Sequence, residues 1–257
     1  MRSITPARVL SISSRREFAR GAIVRDEPKS PKARAAFAGA ALVRNGMIVG
    51  LGSGSTSMLM VERLGERVAE EGLEIIAVAT STTTAQAAAQ LKIKVRELDD
   101  VDSIDINLDG ADEIDARYRM IKGRGGALLR EKLVVSVSRR RVTMITADKR
   151  VDHLGTTMPL PIEVSLVGIK HTERRLRELG ATATEIRVDD KGVVYLTDGG
   201  NGIIDCHFSA IDNPETLDFQ LQTIPGVLET GLFIGMCDYL IVGHDDAVEQ
   251  IETGLAK

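Results

Sequence analysis

Apolar side chains recur at two different periods along the chain. Ser30-Pro31 reads as a helix cap with proline at the first helical position, and Ala33, Ala36, Phe37, Ala40, Ala41 and Val43 follow at helical spacing until Asn45-Gly46. Residues 47–51 form a short apolar run ending in glycines, which predicts a buried strand. The same alternation predicts a helix over 57–71, strands over 75–79, 94–97, 104–108 and 142–146, and a helix over 82–91. Strands alternating with helices require right-handed crossovers, so this half predicts an α/β fold whose mostly parallel sheet is covered on both faces.

The texture changes after Gly155. Residues 159–164 and 187–196 read as strands, and 171–179 as a helix stopped by Gly180. Asp198-Gly199-Gly200-Asn201-Gly202 predicts a hairpin turn feeding a strand over 203–208, and 213–224 is again helical. Two helices and several strands predict a small α+β lobe over 155–227. Strand character returns over 233–238 and 239–242, so the main domain is expected over 30–154 plus 228–257.

Composition narrows the function classes. A chain of 257 residues, 43% hydrophobic and 27% charged, suits a soluble globular protein of one large or two modest domains. No run of about 18 apolar residues occurs, so no membrane-spanning helix is predicted. With 0 Trp, 3 Tyr, 5 Phe and a net charge of −4, the chain offers few base-stacking platforms and no attractive field, so neither nucleic acid nor membrane is an expected partner. Cys206 and Cys237 lack paired spacing, and His153, His171, His207 and His244 lie far apart; neither a disulfide framework nor a metal site is expected. Residues 1–30 carry seven basic side chains against three acidic ones, a net +4 where the whole chain is −4. Arg15-Arg16 hints at an export signal, but no apolar stretch follows it. Residues 1–29 are therefore expected to be a poorly ordered extension. A cytoplasmic location is expected unless that extension is an organelle address.

Three segments carry chemistry. Gly50-Leu51-Gly52-Ser53-Gly54-Ser55-Thr56 places a glycine-rich turn between a strand and a helix, where free N–H groups and hydroxyls suit a phosphate. A dinucleotide fingerprint would want glycine where Ser55 stands, and the Gly-Lys-Ser/Thr of a P-loop is absent. Thr80-Ser81-Thr82-Thr83-Thr84 follows the second strand; alone it is as well explained as a helix cap. Asp109-Gly110-Ala111-Asp112-Glu113-Ile114-Asp115 crowds four carboxylates at a strand end, which calls for a cationic partner or a polar ligand. Lys122-Gly123-Arg124-Gly125-Gly126 then supplies a cation and a flexible backbone, ahead of a helix holding Glu131. Glu131, flanked by Arg130 and Lys132, fits either a helix-surface acid or a desolvated general base beside Leu128 and Leu129. Taken together, the phosphate cradle, acids, lysine and glutamate suit proton transfer α to a carbonyl on a phosphorylated sugar.

These blocks, with Ala147-Asp148-Lys149-Arg150-Val151-Asp152, Pro159-Leu160-Pro161-Ile162-Glu163-Val164 and Ile224-Pro225-Gly226-Val227 before Gly231-Leu232-Phe233, occur in one order across nearly the whole chain from Pro31. In them the sequence resembles the type A ribose-5-phosphate isomerases. The resemblance implies interconversion of ribose 5-phosphate and ribulose 5-phosphate, in the non-oxidative pentose phosphate pathway, with no metal or organic cofactor. It implies a Rossmann-like domain with an inserted ferredoxin-like lobe, assembled as a homodimer or homotetramer. Position by position, Glu131 matches the base that moves a proton between C1 and C2 through a cis-enediolate. Asp109 and Asp112 match the paired acids of ring opening and hydroxyl binding, and Lys122 the lysine that stabilises negative charge. Ser53, Gly54, Ser55 and Thr56 match part of the phosphate site, and Lys32 a lysine that reaches the phosphate. Thr80, Ser81, Thr84, Gly123, Gly125, Gly126 and Lys149 match further substrate contacts. Arg124 stands in a loop that is often all glycine, where it either contacts substrate or points to solvent. A non-catalytic sugar-phosphate sensor would need a DNA-reading module, and residues 1–30 lack two periodic helices. A related deaminase or CoA transferase would share the sheet without the block from Lys122 to Glu131.

Overall fold

Ser30 starts the first helix in the way its sequence predicts. Its Oγ accepts from the Ala33 N–H at 3.2 Å, and Pro31 opens α1 (Pro31–Ala40). The computed structural model describes residues 28–255, so the extension expected over 1–29 lies outside the described residues but for Pro28 and Lys29. After α1 come β1 (Ile48–Leu51), α2 (Gly54–Glu71), β2 (Ile76–Ala79), α3 (Thr82–Gln90), β3 (Lys94–Val95) and β4 (Ile106–Asp109). Two short strands, β5 (Glu113–Ile114) and β6 (Met120–Ile121), precede α4 (Leu128–Ser136) and β7 (Arg141–Thr146). The chain then forms β8 (Leu160–Val164), α5 (Ile169–Glu178), β9 (Ala183–Ile186), β10 (Gly202–His207), α6 (Pro214–Gln222) and β11 (Val227–Thr230). It closes with β12 (Leu232–Phe233), β13 (Tyr239–Gly243) and β14 (Val248–Glu252).

The main sheet runs β14-β13-β7-β4-β1-β2-β3, parallel throughout except for β14. Strand order reverses between β1 and β4, and in such α/β sheets the crevice beyond that switch point holds the ligand. The glycine turn leaves the carboxyl end of β1 and the acidic cluster that of β4, which brings both to one crevice. On one face Val49, Leu51, Met60, Leu64, Leu108 and Met144 are buried with α1 and α2, each such side chain contributing roughly 2 kcal/mol. The approach is close: a Cβ on Gly39 would run into Met144 Sδ. Val134 of α4 covers the other face with Val78 and Ile104.

The small lobe is a four-stranded antiparallel sheet, β11-β8-β10-β9, with α5 and α6. Its connectivity, β-α-β-β-α-β, is ferredoxin-like. Leu160, Ile162, Leu176, Ile204 and Leu221 form its core, and β11 runs across the position 227/228 expected to divide the two units. A third sheet, β12-β6-β5, adjoins both. The structure is thus a mostly parallel α/β sheet with an inserted α+β lobe. No helix among the described residues is long and apolar enough to cross a membrane.

Two strands predicted from the sequence take other forms. Residues 187–196 follow β9 as a loop, because Asp189 Oδ1 accepts from the N–H groups of Lys191 and Val193 at 2.9 and 3.0 Å and Gly192 turns at φ +76°. Only the isolated Val188–Val194 bridge remains of the predicted strand. Residues 233–238 keep strand form only at β12, since Gly235 turns at φ +64° and Asp238 is taken up by the Arg141 guanidinium. β5, β6, β9, β11 and β14 were not predicted; the first two are only two residues long, too short for a periodic signal.

Candidate active site

The glycine turn is shaped around Asp109. Gly54 opens α2 at φ +84°, and a Cβ on Gly52 would collide with the Asp109 carboxylate. Asp109 Oδ1 accepts from the Ser53 N–H at 3.1 Å, Ser57 Oγ at 3.0 Å and the Gly110 N–H at 2.8 Å. Its Oδ2 accepts from Lys122 Nζ at 2.8 Å. The hydroxyl run after β2 braces this turn from behind: Thr80 Oγ1 is 2.6 Å from Ser53 Oγ, and Thr84 Oγ1 donates to Gly52 O at 3.2 Å. Ser81 caps α3, accepting from the Thr84 N–H at 3.1 Å.

Lys122 leaves the end of β6, its N–H donating to Gly231 O at 2.9 Å. Its ammonium also donates to Gly110 O at 2.8 Å and lies 5.3 Å from the centre of the Phe233 ring. Glu131 enters from the first turn of α4, buried, with Oε2 3.2 Å from Lys122 Nζ. That contact is an ion pair by distance but lies off hydrogen-bonding direction, so Oε2 has no hydrogen-bond partner among the described residues. Burial pushes the Glu131 carboxyl up to about 7; Lys122 pulls it down, and Asp109 and Asp112 add to the rise. For Lys122, burial works to lower the ammonium, but Asp109 and Glu131 outweigh it and hold it above the usual lysine range. An uncommitted carboxylate that ionises near neutral pH, beside a permanent cation, has the properties of a general base with an oxyanion stabiliser.

Lys122 and Glu131 face a cavity of about 270 Å³. Lys32, Ser53, Gly54, Ser55 and Thr56 form one wall, with Lys32 Nζ donating to Ser55 Oγ at 3.0 Å. Asp112, Lys122, Gly123, Arg124, Gly125 and Glu131 form another, and Lys149 stands on the lining as well. Asp112 Oδ2 accepts from the Arg124 N–H at 3.0 Å. Four cations against two carboxylates suit an anionic guest despite the net negative chain.

Of the residues expected at the site, Thr80, Ser81, Thr84, Asp109 and Gly126 do not line the cavity. The first four support its walls, and Gly126 lies beneath Tyr195, whose ring fills the space a Cβ would need. Gly110, Ala111, Met144, Ile145 and Thr146 line it without having been singled out. The last three end β7, and the rule that ligands gather at strand carboxyl ends would have found them. Among the described residues no three His, Cys, Asp or Glu side chains are grouped to hold a metal ion.

Comparison with known proteins identifies the family. The family model described as "Ribose 5-phosphate isomerase A (phosphoriboisomerase A)" matches residues 76–247. The ribose-5-phosphate isomerase A of Thermomicrobium roseum is 46% identical over 222 residues, covering 86% of this chain and 93% of that protein. That of Gluconobacter oxydans is 44% identical over 222 residues, covering 86% and 96%. Among solved structures, ribose 5-phosphate isomerase A from Methanocaldococcus jannaschii superimposes with a TM-score of 0.82 at 35% identity, over 86% of this chain and 98% of that one. A D-ribose-5-phosphate isomerase in complex with phospho-erythronic acid does so with a TM-score of 0.83 at 36% identity, over 86% and 97%. The chain belongs to the ribose 5-phosphate isomerase A family.

Proposed function

We propose that this protein is an aldose–ketose isomerase that interconverts D-ribose 5-phosphate and D-ribulose 5-phosphate. The observation that carries the reading is Glu131: a buried carboxylate with an uncommitted oxygen, 3.2 Å from Lys122 Nζ, in the same cavity as the glycine turn. The phosphate binds at Ser53, Gly54, Ser55 and Thr56, where the N-terminus of α2 and Lys32 supply donors and positive charge, with Lys149 near by. The sugar then extends toward Lys122 and Glu131. Glu131 removes the proton from C2 of the open aldose, and Lys122 neutralises the oxyanion of the cis-enediolate. Once the O2 proton has passed to O1 within the enediolate, Glu131 returns its proton to C1, which completes the ketose and regenerates the carboxylate. Asp112, on the cavity wall, is placed to handle the ring-opening proton and bind hydroxyls. Asp109, with all its bonds made inside the protein, holds Lys122 and the glycine turn in place. No step calls for a metal ion.

Ketose formation from ribose 5-phosphate, assayed with and without a chelator, tests the reading. Turnover that survives the chelator is expected. Absence of ketose would overturn the assignment, and loss of turnover on chelation would overturn the metal-free mechanism.

A further inference from the structure

We propose that Arg187, in the small lobe, is a positioning residue that sets the Asp112 carboxylate through a single peptide unit; this rests on the isomerase reading above. Arg187 is itself anchored in its own lobe. Asp205 accepts from its Nε at 2.8 Å and its Nη2 at 2.5 Å, a two-point grip that fixes the guanidinium plane. The remaining Nη1 reaches out of the lobe and donates to the carbonyl oxygens of Gly123 and Arg124, each at 3.1 Å. Gly123 O also accepts from the Gly126 N–H at 3.0 Å, which closes the loop on itself.

The decisive feature is what the other end of that peptide does. The 123–124 peptide offers its C=O to Arg187 and its N–H to Asp112 Oδ2, at 3.0 Å. A planar unit held at both ends cannot turn without breaking one of the two bonds. Asp205, Arg187, the peptide and Asp112 therefore form one chain of hydrogen bonds from the small lobe to the cavity wall. Arg187 does not line that cavity; it borders a separate hollow of about 210 Å³ beside Asp112, Arg124 and Asp205. Its influence on substrate must pass through the loop.

The loop needs such a restraint. Gly123 and Gly126 sit at φ +106° and +80°, conformations that glycine adopts freely and leaves freely. Unrestrained, the segment would have to be ordered each time a sugar bound, which weakens binding. Tyr195 braces it at a second point, its hydroxyl 3.4 Å from Gly125 O. A lysine at 187 would lack the planar fork that grips Asp205 and both carbonyls together.

Titration calorimetry with phospho-erythronic acid, alongside steady-state kinetics with ribose 5-phosphate, tests this in the wild type and in R187A, R187K, D112N and R187A/D112N. R187A and R187K are each expected to weaken binding of the phospho-acid about tenfold, or about 1.4 kcal/mol, and to lower kcat/KM. R187A/D112N is expected to bind no more weakly than D112N alone, because D112N already removes the carboxylate through which Arg187 acts. Losses that multiply in the double variant would overturn the proposal, as would unchanged binding in R187A. If R187A does not fold, R187K and R187K/D112N read the same coupling. A wild type that binds the phospho-acid but forms no ketose would overturn the isomerase reading and leave the coupling readable in the binding data. Failure of the wild type to bind would overturn both.

Discussion

Two buried glutamates of this protein meet opposite fates. Glu113, on β5, is fully buried and saturated: Oε2 accepts from the Gly155 N–H at 2.6 Å, and Oε1 from the N–H groups of Thr157 and Met158 and from Thr157 Oγ1 at 2.6–2.8 Å. It ties the main domain to the segment that leads into β8. Glu131 is almost as deeply buried, yet among the described residues Oε2 has no hydrogen-bond partner and lies 3.2 Å from the misaligned ammonium of Lys122. Burying a charge without hydrogen bonds is costly, and the cost emerges as a carboxyl that ionises near neutral pH. Saturation makes a strut; an open lone pair, on the function proposed above, makes a base. The same side chain at the same depth does either job according to which backbone amides surround it.

Exchanging the carboxylates for amides tests that contrast most severely. Glu131→Gln removes the base and is expected to lower kcat by about 10²–10⁴-fold while leaving the dissociation constant for phospho-erythronic acid within a few-fold, measured by kinetics and calorimetry. Comparable loss of both would remove Glu131 from its assigned role. Glu113→Gln is expected to do the reverse. It weakens charge-assisted bonds in the core and should cost about 3 kcal/mol in denaturant unfolding, with kcat of the folded fraction little changed.

Smaller effects sharpen the picture. Lys32→Ala should raise KM for ribose 5-phosphate about tenfold by removing one charged donor to the phosphate, with kcat nearly intact. An unchanged KM would move the phosphate elsewhere. The subtlest effect lies in stability. The Glu131 carboxyl ionises near 7 in the folded protein and near 4.5 when unfolded, so between those values the folded state binds the extra proton. Wild-type stability should therefore decline as pH rises through that window, by less than about 1.4 kcal/mol per pH unit, the limit for one proton. Glu131→Gln should lack this decline, so its melting temperature should gain on the wild type from pH 5 to pH 7.5.

Much of the architecture was legible because local signals agreed with it. The Ser30-Pro31 cap, the strand that becomes β1 and the glycine turn are each specified by adjacent residues. The 187–196 loop was misread because Val188, Val193, Val194 and Leu196 look like strand residues, although the structure leaves them exposed. The turn-forming Asp189 and Gly192 decide the matter. The four carboxylates near β4 show where local reading ends. Their crowding correctly called for partners, but not for which partner each one finds. Asp115 pairs with Arg119 only four residues away, whereas the amides that saturate Glu113 come from 42–45 residues along the chain. Such long-range pairing leaves no trace in spacing. The same holds for Arg187, whose bond to Gly123 spans 64 residues.

The central claim, that Glu131 is held as a base poised near neutrality, is most directly tested by carbon-13 NMR titration of the side-chain carboxyls. The spectrum of Glu131→Gln identifies the resonance by its loss. A midpoint near 7 for that carboxyl is the predicted result; a midpoint near 4.5, the ordinary value, would contradict the account.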